Sequence, residues 1–129
     1  MLETGIKGTQ QVKVTEENTA IAMGSGTLRV FATPAMIALM EETAWKSVAD
    51  VLEEGCGTVG IQLNVAHLSA TPLGMMVRCE SELTEIQGKK LIFKVAAYDE
   101  AGLIGEGTHE RFIVANEKFQ AKADGKLAK

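Results

Sequence analysis

Glu41 and His67 are the two residues whose types and settings most directly suggest chemistry. Glu41 lies in a helical segment and projects only about 40° from Ile37 around the axis, which puts it within an apolar stripe or at its edge. His67 ends the apolar face of a strand that follows. A carboxylate turned toward a core is costly unless it is paired or neutralised. Because both residues interrupt apolar surfaces that should face each other, we predict that they are partners.

Such a pair can do one of two things. A carboxylate poised by a histidine can attack an electrophilic carbon, or direct water at it. The same pair can also be a satisfied buried contact with no catalytic role, and the residues alone leave both interpretations open.

Thr33 begins the segment that carries Glu41, eight residues earlier. On a helix the two backbones would lie about 12 Å apart along the axis, so their side chains could flank one small bound group. A threonine hydroxyl at this position is also a good helix cap. The free amides of the first helical turn also suit a developing oxyanion, so Thr33 can act as a cap, which its position alone favours, and still take part in catalysis.

The helix that positions these residues is predicted to run from Thr33 to Glu54. Pro34 suits its first turn, and the glycines around Cys56 favour its end. At about 100° per residue, one face of this helix is apolar. That stripe consists of Met36, Ile37, Met40, Ala44, Val48 and Val51.

One strand is predicted before the helix in the sequence and four after it. After Gly57 the apolar period changes from 3.6 to 2, which is typical of strands. They cover residues 8–14, 58–68, 75–86, 89–98 and 103–115. In the second of them, the alternation puts Val59, Ile61, Leu63 and Val65 on one face with His67. Since mostly tight turns join the last four strands, we expect an antiparallel α+β fold, with about five strands wrapped on one long central helix.

Composition narrows the class of protein. The 129 residues suit a single domain covering 1–129, with 1–7 and 123–129 as loose ends. A net charge of −4 gives no support for nucleic-acid binding, and no apolar run approaches the roughly 20 residues of a membrane span. Cys56 and Cys79 make neither a disulfide scaffold nor a zinc site, and no cluster has metal-ligand spacing. We therefore predict a cytoplasmic protein that binds neither nucleic acid nor membrane.

His109 and Arg111 lie two residues apart in the last predicted strand. Charged neighbours on a strand favour an exposed, non-catalytic His109. Arg111 could pair with Glu110 or bind an anionic ligand.

The chain resembles the fluoroacetyl-CoA thioesterase family, within the hotdog fold, over about residues 8 to 122. The most specific part of the likeness is the spacing from Glu41 to His67. The shared stretches are Ala38-Leu39-Met40-Glu41, Val65-Ala66-His67, Ala70-Thr71-Pro72-Leu73-Gly74, Gly107-Thr108-His109-Glu110-Arg111 and Glu117-Lys118-Phe119.

The resemblance implies roles for five residues. Thr33, Glu41 and His67 would be the catalytic threonine, glutamate and histidine, Gly60 would lie near the acyl group, and Arg111 near the ligand. It also implies homodimers with acyl-CoA sites at the dimer interface, and the sequence leaves open whether these dimers pair into tetramers. No metal and no cofactor is implied, since the coenzyme A thioester is itself the substrate.

The expected activity is hydrolysis of a short or small acyl-CoA to the free acid and CoA. The family's enzyme specific for fluoroacetyl-CoA has phenylalanines ahead of the helix, where this sequence has Gly24 and Thr27. The expected acyl group is therefore not restricted to fluoroacetyl. Two alternatives share the fold, namely a non-catalytic acyl-CoA-binding or sensing module and a hydratase or dehydratase.

Overall fold

The computed structural model describes residues 1–128 and shows a five-stranded antiparallel sheet against one long helix. The predicted order of one strand, a long helix and four strands is confirmed, with each strand boundary within two residues of its expected place. Lys129, at the tip of the predicted loose end, lies outside the described residues. The elements are β1 (Lys7–Lys13), α1 (Ala20–Met23), α2 (Thr33–Val48), β2 (Cys56–His67), β3 (Met76–Gln87), β4 (Lys90–Asp99), β5 (Gly102–Ala115) and α3 (Asn116–Asp124).

The strands are ordered β1-β3-β4-β5-β2 across the sheet, and every neighbouring pair is antiparallel. Turns connect β3 to β4 and β4 to β5, whereas β2 follows the helix and takes its place beside β5. The 12-residue strand β2 is therefore an edge strand. Its outer side has no strand partner among residues 1–128, which leaves a row of backbone groups free to pair.

Helix α2 ends earlier than predicted. It stops at Val48 and continues as a single 3-10 turn, Ala49–Val51, after which Leu52 is extended. Such tightening is a common way to satisfy the last carbonyls of a helix. The glycines that were expected to end the helix instead lie in the turn before β2 and at its start, where Gly55 has a positive φ of 84°.

The buried face of α2 packs on one face of the sheet. The predicted stripe is largely correct, but Ile37 is only half-buried, while Leu39 and Thr43 are buried in addition. Thr43 is tolerated there because its hydroxyl donates to the carbonyl of Leu39, 2.7 Å away. The buried helix residues are Met36, Leu39, Met40, Thr43, Ala44 and Val48.

A β-bulge in β2 changes which side chains point inward. The register with β5 slips between Gly60 and Gln62, so that Ile61 is the extra residue and remains half exposed. The predicted unbroken alternation from Val59 to His67 is therefore wrong in its first half. An inserted residue reverses the phase of a strand, and the bulge thus turns Thr58 and Gly60 toward the helix.

Candidate active site

Thr33 and His67 form a hydrogen-bonded pair at the start of α2. The Thr33 hydroxyl oxygen lies 2.7 Å from Nδ1 of His67, which is the last residue of β2. The expectation that Thr33 caps the helix is wrong, because Ala32 is the N-cap residue and makes no side-chain cap bond. Thr33 is the first residue inside the helix, and its hydroxyl reaches across to the sheet and shares a hydrogen bond with the imidazole of His67.

The other nitrogen of His67, Nε2, is buried and has no hydrogen-bond partner among residues 1–128. Burial lowers the pKa of His67, while the nearby backbone of Ser69 acts in the opposite direction. The imidazole is therefore held neutral near pH 7, which is the form that can accept a proton. An orphaned buried nitrogen calls for a partner, and a bound ligand or a second copy of the chain can supply one.

A cavity of about 280 Å³ opens beside this pair. Small and apolar side chains from the segment before α2 and from the loop after β2 surround it, so it can admit a compact group next to the threonine and the histidine. Its walls include Ala20, Val30, Phe31, Thr33, His67 and Ala70. A larger cavity lies between β1, β3 and β4 and contains none of the expected site residues.

Glu41 lies elsewhere, in an ion pair with Arg111. Its Oε2 is 3.3 Å from Nη1 of Arg111, and the carboxylate side chain is 38% exposed while the arginine is only 6% exposed. Glu41 therefore lies at the edge of the apolar stripe of α2, as its angular position predicted. Thr58 holds the other side of the guanidinium, through its hydroxyl at 2.8 Å and its carbonyl at 2.9 Å. The carboxylate is therefore anchored from within yet open to a ligand.

Gly60 provides the space in which the Glu41 carboxylate lies. A Cβ at this position would overlap Oε2 of Glu41 and would come within 3.3 Å of both Nη1 of Arg111 and Cε1 of His109. The β-bulge brings this glycine to the inner face, opposite Arg111 in the register with β5. Any larger residue here would displace the carboxylate.

His109 is fully buried, so the expectation of an exposed histidine is wrong. It shares the inner face of β5 with Arg111, while Glu110 between them points outward toward Lys90. Its ring nitrogens lie 3.0 Å from the carbonyl of Gln62 and 3.1 Å from Nη1 of Arg111. Alternation with Arg111 was the signal in the sequence that could have revealed this, because residues two apart on a strand share a face.

Acidification should destabilise the protein through its two histidines. Burial lowers the pKa of His109, and the positive charge of Arg111 lowers it further. The Gln62 carbonyl and the carboxylates of Glu41 and Glu110 act in the opposite direction. Burial also lowers the pKa of His67. Each histidine binds a proton more readily in the unfolded chain, so stability is full above the unfolded pKa of about 6.5 and falls as the pH drops below it.

The measurement is urea unfolding at several pH values between about 7.5 and 5. His109→Gln should reduce the slope of stability against pH over this range. An unchanged slope in this variant would contradict the assignment of a lowered pKa to His109.

Within one chain, Glu41 and His67 do not share a hydrogen bond. Glu41 lies against Gly60 in the first half of β2, whereas His67 ends that strand, and the backbones of Gly60 and His67 are roughly 20 Å apart. The chain therefore carries two partial sites, one with Thr33 and His67 and one with Glu41 and Arg111. Residues 1–128 hold no group of three or more potential metal ligands. No helix among them is both long and apolar enough to cross a membrane.

A long helix packed on a five-stranded antiparallel sheet in this order is the hotdog fold, and solved members of the thioesterase superfamily share it. One from Thermus thermophilus is 29% identical and superposes with a TM-score of 0.90 over 99% of this chain and 95% of its own. The model of the fluoroacetyl-CoA-specific thioesterase family matches residues 14–117. The chain belongs to that family.

Individual relatives agree with this assignment. The fluoroacetyl-CoA thioesterase of Streptantibioticus cattleyicolor is 43% identical over 93 residues, which cover 72% of this chain and 67% of that protein. A solved structure of the fluoroacetyl-CoA thioesterase FlK is 34% identical and superposes with a TM-score of 0.92, covering 98% of both chains. Another structure, of an FlK mutant, contains fluoroacetate and CoA.

Proposed function

We propose that this protein is a thioesterase that hydrolyses a short or small acyl-CoA to the free acid and CoA. The observation that carries the proposal is the Glu41 carboxylate, which is accessible yet fixed against Gly60 by an ion pair to buried Arg111. A carboxylate held in this way can act as nucleophile or as general base. Membership of a thioesterase family supports the same reaction.

The chemistry needs few groups. If Glu41 acts as general base, it directs water onto the thioester carbonyl carbon, the carbon–sulfur bond breaks, and CoA leaves as a thiol after taking up a proton. If Glu41 acts as nucleophile, its oxygen displaces CoA to form a mixed anhydride, and water then cleaves that anhydride to give the free acid and the restored carboxylate. His67, neutral and with Nε2 unpartnered within residues 1–128, is suited to pass that proton. Thr33 would position the carbonyl or the water, and amides in the first turn of α2 would stabilise the oxyanion.

The proposed reaction uses only water and side chains of this protein, so neither a metal nor an organic cofactor enters the proposal. Dialysis against a chelator should leave thiol release unchanged. The proposal places the protein in the cytoplasm, and the two cysteines, both free thiols, support a reducing compartment.

We further propose a homodimer in which each site draws on both copies. Within one chain no hydrogen bond joins the two partial sites, since Glu41 is paired with Arg111 and His67 with Thr33. The long edge strand β2 offers a surface for pairing, with Ile61 exposed at the bulge and Phe112 exposed on the neighbouring strand. A second copy docked along this edge could bring its own Glu41 to the Thr33–His67 pair. Native mass spectrometry distinguishes a dimer from a tetramer.

Mixed dimers should recover activity from two inactive variants. In a dimer of one Glu41→Gln copy and one His67→Ala copy, a site that needs both residues from different copies is intact once out of two. The isolated mixed dimers should then show about half of the parent activity per dimer, and an unfractionated random mixture about a quarter. Co-expression with two affinity tags gives the mixed species, and each variant alone is the control. No recovery in confirmed mixed dimers would refute a site shared between copies.

The test of the activity itself is a panel of acyl-CoA thioesters of increasing acyl size, followed by release of free thiol. Turnover of the small members supports the proposal, and fluoroacetyl-CoA belongs in the panel because relatives are named for it. Saturable binding by calorimetry with no thiol release from any member would refute hydrolysis and leave a binding module instead.

A further inference from the structure

His109 lies at the centre of a buried chain of polar contacts behind Glu41. The chain starts at the Gln62 carbonyl on β2, passes through both ring nitrogens of His109 to Nη1 of Arg111, and ends at Oε2 of Glu41. His109 is fully buried and its ring packs near that of Phe93, with 6.3 Å between centroids. It does not contact the site cavity, and the proposed reaction gives it no role.

The contacts fix which nitrogen of His109 carries its proton. An arginine nitrogen can only donate, so Nε2 of His109 must accept from Nη1 of Arg111. The carbonyl of Gln62 can only accept, so Nδ1 must donate to it. Only a neutral imidazole protonated at Nδ1 satisfies both neighbours.

The hydrogen bond to His109 fixes the orientation of the Arg111 guanidinium. Nη1 has two hydrogens, and with one directed to His109 the other is directed to Glu41. Thr58 occupies Nε and Nη2, so every nitrogen of the guanidinium has a partner. Gly60 leaves the room in which His109, Arg111 and Glu41 come together.

We propose that His109 is a positioning residue for the proposed hydrolysis: as the neutral tautomer protonated at Nδ1, it directs Arg111 so that the guanidinium holds the Glu41 carboxylate in its reactive place. The proposal rests on the proposed function for its catalytic consequence, while the tautomer and the ordering of Arg111 do not depend on it. Loss of the acceptor at Nε2 would free Nη1 to rotate and would loosen the carboxylate, which affects turnover more than substrate binding.

The first test is long-range proton–nitrogen NMR on the nitrogen-15-labelled parent protein at neutral pH. We expect His109 to be neutral, with the proton on Nδ1 and none on Nε2, and the Nη1 hydrogens of Arg111 to give resolved signals. A proton on Nε2, whether in the other tautomer or in the imidazolium, would overturn the proposal. This result stands even if no acyl-CoA is hydrolysed, in which case the proposed function alone fails.

The second test compares matched amides. His109→Gln can place its side-chain oxygen near the position of Nε2 and accept from Arg111, whereas the shorter side chain in His109→Asn lies near Nδ1 and leaves the arginine without an acceptor. We expect His109→Asn to lower kcat roughly 10- to 100-fold with a smaller change in KM, and His109→Gln to recover much of that loss.

The Arg111 Nη1–H signals should broaden in His109→Asn and stay resolved in His109→Gln, because the acceptor at Nε2 restrains Nη1 while Thr58 holds Nε in every variant. Equal kcat values in the two folded variants, or an unchanged Arg111 signal in His109→Asn, would overturn the proposal. Should His109→Asn fail to fold, His109→Phe provides a second variant without an acceptor, and the NMR result on the parent protein still decides the tautomer.

Discussion

Replacing Glu41 by glutamine should lower kcat for acyl-CoA hydrolysis by about 10²- to 10⁴-fold, the range expected for loss of a nucleophile or general base. The amide keeps the size of the carboxylate and can still accept from Arg111, so the ion pair becomes a neutral contact while the packing against Gly60 remains. Because Glu41 is 38% exposed but its partner Arg111 only 6%, the loss of this charge should lower stability by about 1–3 kcal/mol, less than for a fully buried pair. The measurements are kcat and KM by thiol release, with Tm as the check on folding.

Glu42→Gln is the matched control one residue away. Glu42 points to the surface and pairs with Lys46 at 2.7 Å, one helical turn on. Removal of this surface ion pair should change stability by less than about 1 kcal/mol and leave kcat within about twofold of the parent value. Full activity in Glu41→Gln, or equal losses in the two variants, would remove Glu41 from the mechanism.

The fold was predictable because its signals are local. The alternation of the strands, the short turns between them and the apolar period of the helix are each read from neighbouring residues, and together they allow few arrangements. The location of Glu41 at the edge of the stripe followed from angular spacing alone, and the structure agrees. The early end of α2 was missed because a last turn in 3-10 geometry leaves no distinct signature in the sequence.

The site was harder to predict, because its details depend on contacts between distant strands. No local pattern in β2 predicts the bulge at Ile61. Because of this bulge, Gly60 rather than Val59 faces Glu41. His109 was misassigned because its charged neighbours outweighed the alternation that it shares with Arg111. The resemblance to a family supplied Gly60 and Arg111, which the spacing of residues had not selected.

The expected pairing of Glu41 with His67 shows a different limit. Opposed apolar surfaces imply that two polar residues face each other, but they do not give the position of each residue along the surface. Within one chain Arg111 satisfies Glu41 and Thr33 satisfies Nδ1 of His67. A sequence pattern contains no information on a second copy, so the meeting of these groups between subunits stays a prediction that mixed dimers test.

Replacing Gly60 by alanine should abolish most of the activity while leaving the fold in place. The added Cβ would occupy the position of the Glu41 carboxylate oxygen, which must move away. The obstacle is the end of a flexible, partly exposed side chain, so the chain can relax by turning that carboxylate outward. We expect kcat to fall roughly 100-fold, because a shift of about 1 Å at a reacting group can have that effect.

Two other glycines separate an effect on the site from an effect on the fold. In Gly107→Ala the Cβ would meet the backbone of Asn64 and Val65, which cannot turn aside, so stability should fall by about 1–3 kcal/mol or more. Gly125→Ala adds a Cβ in open space and should change neither property. If Gly60→Ala lost as much stability as Gly107→Ala, Gly60 would be needed for packing rather than for the site. If Gly60→Ala were inactive but had the Tm of the parent protein, Gly60 would be needed to leave space for the Glu41 carboxylate.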